Sequence, residues 1–561
     1  MNPEHKNSIK DIAITLIPAA LFIVALLPRI ICLLQIQHSV ISQMLPMDTA
    51  EYDAWGVRIS QGELVGREVF YAMPLYAYFL GFIYFLFGHH LEAVRLIQLI
   101  LGAVNCVLIF YISKKIFKNL HLASLAFIIA ILFKLSVFYE LLLDGSTLAT
   151  FIFLMFILTV VRFYEKPTLT VSLFAGLLGT LGVLTRANFL ILFAIVIILA
   201  WGSFSGIVLK KKKVLLCVLF VLPLVIAISA TASINYNAQK DFVPLTAHGG
   251  INFYLGNGPY ANGRYPTVPF LAGGSENMIK QSVIIARQDS KKNLKPSQAS
   301  SYWSVKTMEF IRSNPQKYLL LILQKIRLFV SGFEMPDVFS YSFSYKFIPA
   351  LRFFPITFLL LIPLGISGMI LTPSQNKAIL LLKMLFIGYA VGIITFLVNE
   401  RYKIPLYPIL AMFAAGFMIH AFKKGVNNIK KSIAFAVFIG LILLYSDVSF
   451  ARVYGVNQAA SYNILGYEFL DRTDYTKAIE YFSKAVELEP QRADAYNSLG
   501  FAYMSNDKLD MAEEAFKKAI ELNPNLFQAY YNLANLYFKE GKIDEGNRNM
   551  DQYKRLSPYE E

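Results

Sequence analysis

Residues 47–55 combine carboxylates with aromatic side chains directly after the first long apolar segment of the chain. The residues concerned are Asp48, Glu51, Asp53, Tyr52 and Trp55. A carboxylate beside a bilayer is costly to desolvate, so it is usually paired, helix-capping or catalytic. The order Asp-Thr-Ala-Glu fits a capping box, in which Asp48 caps a helix and Glu51 reaches back from its third position. The spacing alone leaves both the capping role and the catalytic role open.

The composition of the 561-residue chain excludes a single soluble core. Hydrophobic residues make up 56% of it, charged residues 16%, and the mean hydropathy is +0.51, whereas soluble domains carry about 25% charged residues. The net charge of +15 comes from short basic clusters between apolar runs, without the basic and aromatic pattern of a nucleic-acid groove. Cys32, Cys106 and Cys217 lie in apolar runs, so neither a disulfide framework nor a cysteine metal site is expected.

Long apolar runs predict an all-α fold with a polytopic membrane domain of about eleven spans. The spans are expected at 11–36, 91–113, 121–138, 146–163, 170–185, 188–208, 213–233, 350–371, 376–398, 404–422 and 432–449. With a cytoplasmic N-terminus, every basic cluster between spans lies on the cytoplasmic side, as the positive-inside rule requires. The runs 74–88 and 318–333 are expected as interfacial helices on the outer leaflet, and a tilted extra span is the alternative for each.

The gaps on the opposite side carry most of the polar residues other than lysine. Extracytoplasmic loops are expected at about 37–90 and 234–349, and the short gaps at Glu140, 185–188 and 399–402 face the same side. Function is therefore expected on this outer face.

The C-terminal region has a period of about 34 residues, which resembles the tetratricopeptide repeat. The recurring residues are Tyr462, Tyr496 and Tyr530, then Leu465, Leu499 and Leu533, and then Pro490, Pro524 and Pro558. The sequence thus predicts a membrane domain at 1–455 and a soluble α-solenoid of three repeats at 456–561. Stacked repeats form a concave surface that commonly binds a peptide or partner protein, and a scaffold that docks on the membrane domain is the alternative.

Further motifs follow in the predicted outer-face gaps. They are Phe70-Tyr71-Ala72-Met73-Pro74-Leu75-Tyr76, Glu140 in Phe138-Tyr139-Glu140-Leu141-Leu142, Arg186 in Leu184-Thr185-Arg186-Ala187-Asn188, the glycine-containing loop from His248 to Asn257, and Asn399-Glu400-Arg401-Tyr402-Lys403-Ile404-Pro405. Together with the acidic segment, this order of motifs resembles the C-fold (GT-C) glycosyltransferase superfamily. More narrowly, it resembles the dolichyl-phosphate-mannose protein mannosyltransferase-like membrane proteins, over residues 1–450 in architecture.

The resemblance implies sugar transfer from a polyprenyl-phosphate donor to an acceptor on the outer side, with the first-loop Asp as the catalytic carboxylate. The acceptor hydroxyl must lose a proton, so a carboxylate general base is needed. Asp48 is the candidate, with Glu51 or Asp53 in reserve, because the acids here are spaced whereas the family often has two adjacent ones. Direct transfer with a single base predicts inversion at the anomeric carbon.

A phosphate leaving group calls for cations, and Arg186 and Arg401 are the candidates, followed by Lys403. Snorkelling or pairing, for instance of Arg401 with Glu400, is the alternative role. Glu140 is a candidate second acid that orients the acceptor or a metal, or else a solvated span terminus. The residues expected to bind substrate are Tyr52, Trp55, His248, Asn252, Asn257, Arg264, Glu400 and Tyr402. The sequence identifies no specific cofactor, and a divalent cation shared by Asp48, Glu51 and Glu140 stays open.

The sequence therefore predicts an integral membrane glycosyltransferase in the cell (inner) membrane, multi-pass, with a cytoplasmic N-terminus and extracytoplasmic repeats. The expected partners are a polyprenyl-phosphate sugar donor, the lipid bilayer and a protein partner or acceptor at the repeats, but not nucleic acid. A transporter or flippase of lipid-linked saccharides and a non-enzymatic membrane scaffold are the alternative functions. The sugar and the class of acceptor stay open.

Overall fold

The computed structural model describes residues 3–45, 48–66, 68–70, 72–203, 209–263, 268, 271, 275–332, 340–423, 440 and 458–557. Side chains are described from residue 16 onwards within these ranges, except at 203, 275–279 and 423. The predicted span 432–449, apart from Gly440, the candidate site residue Arg264 and the repeat residue Pro558 lie outside the described residues.

The membrane domain is built from helices that we number in chain order. They are α1 (Pro3–Gln37), α2 (Asp48–Ser60), α3 (Leu75–Phe87), α4 (Leu91–Phe117), α5 (Leu120–Ile131), α6 (Lys134–Leu141), α7 (Ser146–Glu165), α8 (Leu169–Thr185), α9 (Phe189–Ser203), α10 (Lys210–Gln239), α11 (Gly249–Asn257), α12 (Ser275–Ser290), α13 (Pro296–Ser313), α14 (Pro315–Val330), α15 (Tyr341–Ser344), α16 (Phe358–Leu371), α17 (Lys377–Thr395), α18 (Glu400–Lys403) and α19 (Tyr407–Lys423). The expected all-α class is confirmed.

The repeats form paired helices. They are α20 (Gln458–Asp471), α21 (Tyr475–Leu488), α22 (Ala493–Ser505), α23 (Leu509–Leu522), α24 (Phe527–Lys539) and α25 (Ile543–Leu556). The first helices of successive repeats, α20, α22 and α24, contact one another. The Tyr467 and Ser498 hydroxyls are 2.6 Å apart, and Asn532 Nδ2 donates to Asn497 Oδ1 at 3.0 Å. The first helices therefore lie on the more tightly packed, inner side of the solenoid.

Among the described residues, six helices are long and apolar enough to cross a membrane. They are Leu16–Gln37, Leu91–Phe117, Ser146–Glu165, Lys210–Gln239, Lys377–Thr395 and Glu400–Phe422. The predicted spans that begin at 121, 170, 188 and 350 coincide with the shorter apolar helices α5, α8, α9 and α16. The two runs expected as interfacial helices form α3 and α14.

The predicted span 121–138 is divided into α5 and α6. The Lys134 N–H donates to the Ile356 carbonyl at 2.9 Å, and the Ile356 N–H donates to the Leu132 carbonyl at 3.1 Å. The Lys134 ammonium, in the last third of the predicted span, donates to the Tyr345 hydroxyl and lies 5.1 Å from the centre of its ring. A lysine in an apolar environment needs such partners, and the break in the helix allows it to reach them.

The basic and the acidic segments lie at opposite ends of the helices. At one end, Lys115 Nζ is 2.7 Å from Glu165 Oε2, and the Asn376 side chain at the start of α17 donates to the Ile116 carbonyl at 3.4 Å. These contacts join the C-terminal ends of α4 and α7 to the N-terminal end of α17. The N-terminal end of α7 and the C-terminal ends of α8 and α17 must then lie at the other end.

A charged pair lies inside the domain. Arg29 on α1 donates from Nε to Glu140 Oε2 at 2.7 Å and from Nη2 to Oε1 at 3.2 Å. Both side chains are almost completely buried, with 0% and 2% exposure. Gly102 on α4 leaves room for this pair, because an added Cβ would lie 2.2 Å from the Glu140 carboxylate. The pair joins α1, α4 and α6 in the core.

The first repeat packs on the membrane domain at the end opposite the basic clusters. The Phe343 and Tyr462 rings are 5.0 Å apart in an edge-to-face arrangement, and Lys346 donates to the Tyr462 hydroxyl. Val40, in the turn after α1, packs against the apolar core of the first two repeats. The repeats are thereby held beside the loop that leads into α2.

The buried pair yields a stability prediction. Arg29→Met should cost roughly 3–5 kcal/mol, because it leaves the Glu140 charge buried without its partner. The double variant Arg29→Met/Glu140→Gln should recover much of that loss, as measured by the melting temperature in detergent. As a control, Lys115→Met breaks a partly exposed pair and should cost no more than about 1 kcal/mol. A double variant less stable than the single one would contradict the pairing.

Candidate active site

The site is centred on an ion pair between distant parts of the chain. Asp48 is the first residue of α2, and Arg401 lies in the short helix α18, whose start is capped by the Asn399 side chain accepting from the Arg401 N–H at 3.2 Å. Arg401 Nη2 lies 2.7 Å from Asp48 Oδ2. The two side chains keep 17% and 24% of their surface exposed, so the pair borders on solvent.

A second acid, Asp144, lies beside both candidate arginines. Asp144 Oδ1 accepts from the Ser146 N–H at 2.8 Å, which fixes the acid at the start of α7. Its carboxylate oxygens lie 3.7 Å from Arg186 Nη2 and 3.9 Å from Arg401 Nη1. The Ser146 hydroxyl accepts from Arg186 at 2.6 Å and donates to the Arg401 carbonyl at 3.2 Å. We call Asp48, Asp144, Arg186 and Arg401 the acid–arginine cluster.

The Tyr402 ring supports both guanidinium groups. The Arg186 guanidinium carbon lies 5.0 Å from the ring centre, and that of Arg401 lies 5.3 Å from it. Cations within about 6 Å of an aromatic face are attracted by its quadrupole. Two like charges thus share one ring and one carboxylate, Asp144, and Arg401 is also paired with Asp48. This is a geometry in which an anionic group can be bound between arginine donors.

Tyr52 borders the cluster from α2. Burial is the main cause that raises the pKa of its phenol, and the negative charge of Asp48 adds to the rise. The charges of Arg401 and Arg186 oppose the rise without reversing it. Tyr52 therefore stays protonated and can donate a hydrogen bond into the site. Its ring packs edge-to-face against Tyr76 at 5.3 Å.

Buried hydrogen bonds hold the loop that carries Asp144. Gln98 on α4 donates to the carbonyls of Glu140 and Leu142 at 2.8 and 2.7 Å, and it accepts from the Tyr76 hydroxyl at 2.7 Å. Tyr76 also packs against Gly145, where an added Cβ would lie 3.3 Å from its ring. The position of Asp144 is therefore set by α3 and α4.

His248 lies beside Asp48 at the start of α11. Burial lowers the pKa of its imidazole to about 4, although the charge of Asp48 acts in the opposite direction. The imidazole is therefore neutral at ordinary pH, so one ring nitrogen can donate a hydrogen bond and the other can accept one. Gly250 allows the close approach of α11 to α13, since an added Cβ would lie 1.8 Å from the Ser300 carbonyl oxygen.

A buried lysine connects α11 to the segment that precedes Arg401. Lys325 on α14 is completely buried and donates to Asn257 Oδ1 at 2.8 Å and to the Phe396 carbonyl at 2.7 Å. Asn257 also donates to the Thr395 carbonyl at 2.9 Å. Burial lowers the pKa of Lys325 to about 7. Asn257 therefore lies in the scaffold of the site and not beside the cluster.

Several candidates for the catalytic carboxylate lie elsewhere. Asp53 accepts from the Tyr84 hydroxyl at 2.5 Å and is 2.9 Å from His89 Nε2, away from the arginines. Glu140 forms the buried pair with Arg29. Glu51 is half-buried and lies one turn along α2 from Asp48. Of the sequence-predicted acids, Asp48 is the one that the structure pairs at 2.7 Å with Arg401.

The remaining candidates for binding substrate or phosphate are divided between scaffold and cluster. Trp55 is buried against Phe70, with ring centres 5.1 Å apart. Lys403 is buried, donates to the Ser331 carbonyl at 3.3 Å and lies over the Phe358 ring. Glu400 is buried, and Asn252 is half-buried with its N–H donating to the His248 carbonyl.

Asp144 was not among the sequence-predicted residues. It stands in Asp144-Gly145-Ser146-Thr147, directly before an apolar run, and lies in the same predicted outer gap as Glu140. An Asp two residues before a helical Ser is a helix-start signal, and this pattern could have marked it. Among the described residues, no group of three or more His, Cys, Asp or Glu side chains could hold a metal ion. Glu140 in particular is bound to Arg29, so it does not join Asp48 and Glu51.

Comparison with protein families gives a match in the N-terminal half of the membrane domain. Residues 72–229 match the family model for dolichyl-phosphate-mannose-protein mannosyltransferase. The expected resemblance is thus confirmed for this segment, which contains Asp144 and Arg186. Tetratricopeptide repeat models match residues 466–507, 493–526 and 515–546, which confirms the repeats. The chain therefore combines a mannosyltransferase-like membrane domain with tetratricopeptide repeats.

Comparisons over the whole chain do not extend the family assignment. No curated protein matches the chain. A solved structure described as "Crystal structure of APC/C hetero-tetramer Cut9-Hcn1" is 12% identical, with 91% of this chain and 94% of that chain covered and a TM-score of 0.20. A TM-score at that level does not indicate a shared fold over the whole chain.

The buried lysine yields a pH prediction. Between its folded pKa of about 7 and its ordinary value of 10.5, Lys325 is protonated in the unfolded chain but not in the folded one. The unfolded state then binds more protons, so stability should rise with pH across this window, by at most about 1.4 kcal/mol per pH unit. The melting temperature in detergent, followed from pH 7 to 9, should show this rise.

Lys325→Met should remove that part of the rise, because the titrating group is gone. Lys292→Met, at an exposed lysine, serves as the matched control and should keep the pH dependence of the unchanged protein. An equal pH dependence in all three proteins would contradict the assignment.

Proposed function

We propose that the chain is an integral membrane glycosyltransferase that moves a sugar from a polyprenyl-phosphate donor to an acceptor on the extracytoplasmic face. The match of residues 72–229 to the mannosyltransferase family supports sugar transfer at a membrane. The observation that carries the proposal is the acid–arginine cluster, in which Asp48 and two arginines from distant helices meet. Such a cluster offers a proton acceptor and phosphate-binding cations within one site.

Asp48 is the proposed general base. In the transfer, the acceptor oxygen forms a bond to the anomeric carbon while the bond from that carbon to the phosphate oxygen breaks. The acceptor proton goes to the Asp48 carboxylate, and the electron pair of the broken bond goes to the phosphate. One such displacement inverts the configuration at the anomeric carbon. A positioned base of this kind contributes about 10²–10⁴-fold to the rate.

Arg186 and Arg401 are the proposed partners of the phosphate. Polyprenyl phosphate gains one negative charge as it leaves, and cations that are already in place stabilise this charge best. Asp144, Ser146 and Tyr402 hold the two guanidinium groups in position before substrate binds. Tyr52 and His248 border Asp48 and are proposed to bind the sugar or the acceptor.

The proposed arrangement in the membrane follows from the two ends of the helices. Residues 1–455 would form the membrane domain and residues 456–561 the repeat domain. The end with Lys115 and Lys377 would face the cytoplasm, and the cluster would face outward, as the positive-inside rule favours. The first repeat packs beside Val40 and α15, at the end opposite the basic clusters, which supports extracytoplasmic repeats. The proposed membrane is the cell (inner) membrane.

The proposed acceptor is a polypeptide held by the repeats. The inner helices of the solenoid expose aromatic side chains, with Tyr467 44% and Phe501 37% exposed. Exposed aromatic residues on a concave surface fit an extended peptide. Because the first repeat is fixed to the membrane domain, a bound polypeptide would lie near the cluster.

The base assignment is tested by transfer from a labelled polyprenyl-phosphate sugar in detergent. Asp48→Asn should lower kcat by about 10²–10⁴-fold, because the amide cannot accept the proton. Asp53→Asn, on the same helix but bound to Tyr84 and His89, is the matched control and should keep most of the activity. Full activity in Asp48→Asn, or loss confined to Asp53→Asn, would refute the assignment of Asp48.

The role of the repeats is tested with two kinds of acceptor. The double variant Tyr467→Ala/Phe501→Ala should raise KM for a protein acceptor by roughly tenfold, because aromatic anchors carry much of the binding energy. Transfer to a short peptide that is too small to reach the repeats should keep its KM and kcat. Equal effects on both acceptors, or none on either, would show that the repeats do not select the acceptor.

A further inference from the structure

The ion pair at the centre of the site has a consequence for the order of events. A carboxylate oxygen that is bound to a guanidinium has a lone pair engaged and is a weaker base, and the N–H that it binds is not available to another acceptor. Arg401 Nη2 binds Asp48 Oδ2 at 2.7 Å, so this pairing weakens Asp48 as a base and occupies a donor of Arg401. Separating the two groups would therefore strengthen the base and give phosphate an additional donor.

We propose that the Asp48–Arg401 ion pair is a latch opened by the donor: the donor phosphate displaces Asp48 from Arg401 and thereby releases the base. The inference rests on the proposed function and adds its regulation. Asp48 becomes the stronger base only when a lipid-linked sugar is bound. Donor binding would then precede deprotonation of the acceptor.

Arg401 has supports that do not depend on Asp48. Asp144 lies 3.9 Å from its Nη1, the Tyr402 ring lies under its guanidinium, and Asn399 binds its N–H. Its carbonyl accepts from Ser146 at 3.2 Å. Arg401 can therefore stay in place while Asp48 moves away, so the displaced partner is the carboxylate.

The partial exposure of the Asp48–Arg401 pair favours the exchange of one partner for another. Asp48 and Arg401 are 24% and 17% exposed, and ion pairs that water reaches contribute little net free energy. A phosphate bound by two arginines forms several charge-assisted hydrogen bonds, which are stronger. The Arg29–Glu140 pair in the same domain differs in both respects. Both of its carboxylate oxygens accept hydrogen bonds, and it is almost completely buried. We therefore expect the Arg29–Glu140 ion pair to stay intact.

The latch also gives a route for product release. After transfer, Asp48 carries the acceptor proton and is neutral, so it does not compete with polyprenyl phosphate for Arg401. Once the proton leaves to water, the carboxylate regains its charge and can pair with Arg401 again. Re-formation of the pair would help to expel the lipid phosphate.

The proposal is tested by binding of polyprenyl monophosphate to the full-length protein in detergent, measured by equilibrium dialysis with labelled lipid. Asp48→Asn should bind this probe three- to tenfold more tightly than the unchanged protein, because the competing carboxylate is gone. Arg401→Gln should bind it at least tenfold more weakly. Asp53→Asn is the matched control and should leave the affinity unchanged.

Two further probes identify the group that is recognised. Polyprenyl alcohol, which lacks the phosphate, should bind equally to the unchanged protein and to Asp48→Asn. Inorganic phosphate should show the same preference for Asp48→Asn as the lipid phosphate, at lower affinity. A preference that appears with the alcohol would overturn the latch, because it would not depend on charge.

An unchanged or weakened affinity in Asp48→Asn would overturn the latch. Asp48→Ala repeats the measurement with a second side chain, and a melting temperature close to that of the unchanged protein qualifies a variant for the comparison. Activity separates the two proposals. If Asp48→Asn is inactive but binds no more tightly, the latch alone fails, whereas retained activity refutes Asp48 as the base whatever its affinity.

Discussion

The organisation of the site depends on holding two guanidinium groups together. Arg186 and Arg401 lie over the same tyrosine ring, and like charges so close repel unless acids and aromatic faces offset the repulsion. Asp144 lies within 4.0 Å of both arginines, and Asp48 takes the remaining position on Arg401. The cluster is electrically balanced before any ligand enters. An anionic ligand must therefore compete with a carboxylate, and that competition makes the site responsive to what it binds.

The membrane helices bring the charged residues of the cluster together from distant parts of the chain. Asp144 precedes α7, Arg186 follows α8, and Arg401 follows α17, so each charge stands at a helix end while apolar residues fill the helices themselves. Gln98 and Tyr76 hold the Asp144 loop through hydrogen bonds. Lys325 links the segment before Arg401 to α11. Each of these scaffold residues is polar and buried with its hydrogen bonds formed, which is the condition for polar groups inside a protein core.

Much of this could be predicted from the sequence, for reasons that differ between residues. Hydropathy indicated the helices, and the 34-residue period indicated the repeats, since both are local patterns. The expectation that Asp48, Arg186 and Arg401 lie on one face followed from the topology. The pairing did not follow: Asp48 and Arg401 are 353 positions apart, and Asp53 and Glu140 have partners that no spacing suggests. The break at Lys134 also depends on a distant segment, through Ile356 and Tyr345.

The two kinds of ion pair in this domain show how burial separates structural from functional charge. Arg29 and Glu140 meet where water is excluded, so separating them would strand a charge in a medium of low dielectric constant, and the pair can only hold helices together. Asp48 and Arg401 meet where water still reaches, so either can exchange its partner at small cost. Ion pairs of the same residue types therefore have a structural role at one place in the fold and a functional role at another. What decides between them is the depth at which the helices place the pair, because depth sets the free energy of breaking it.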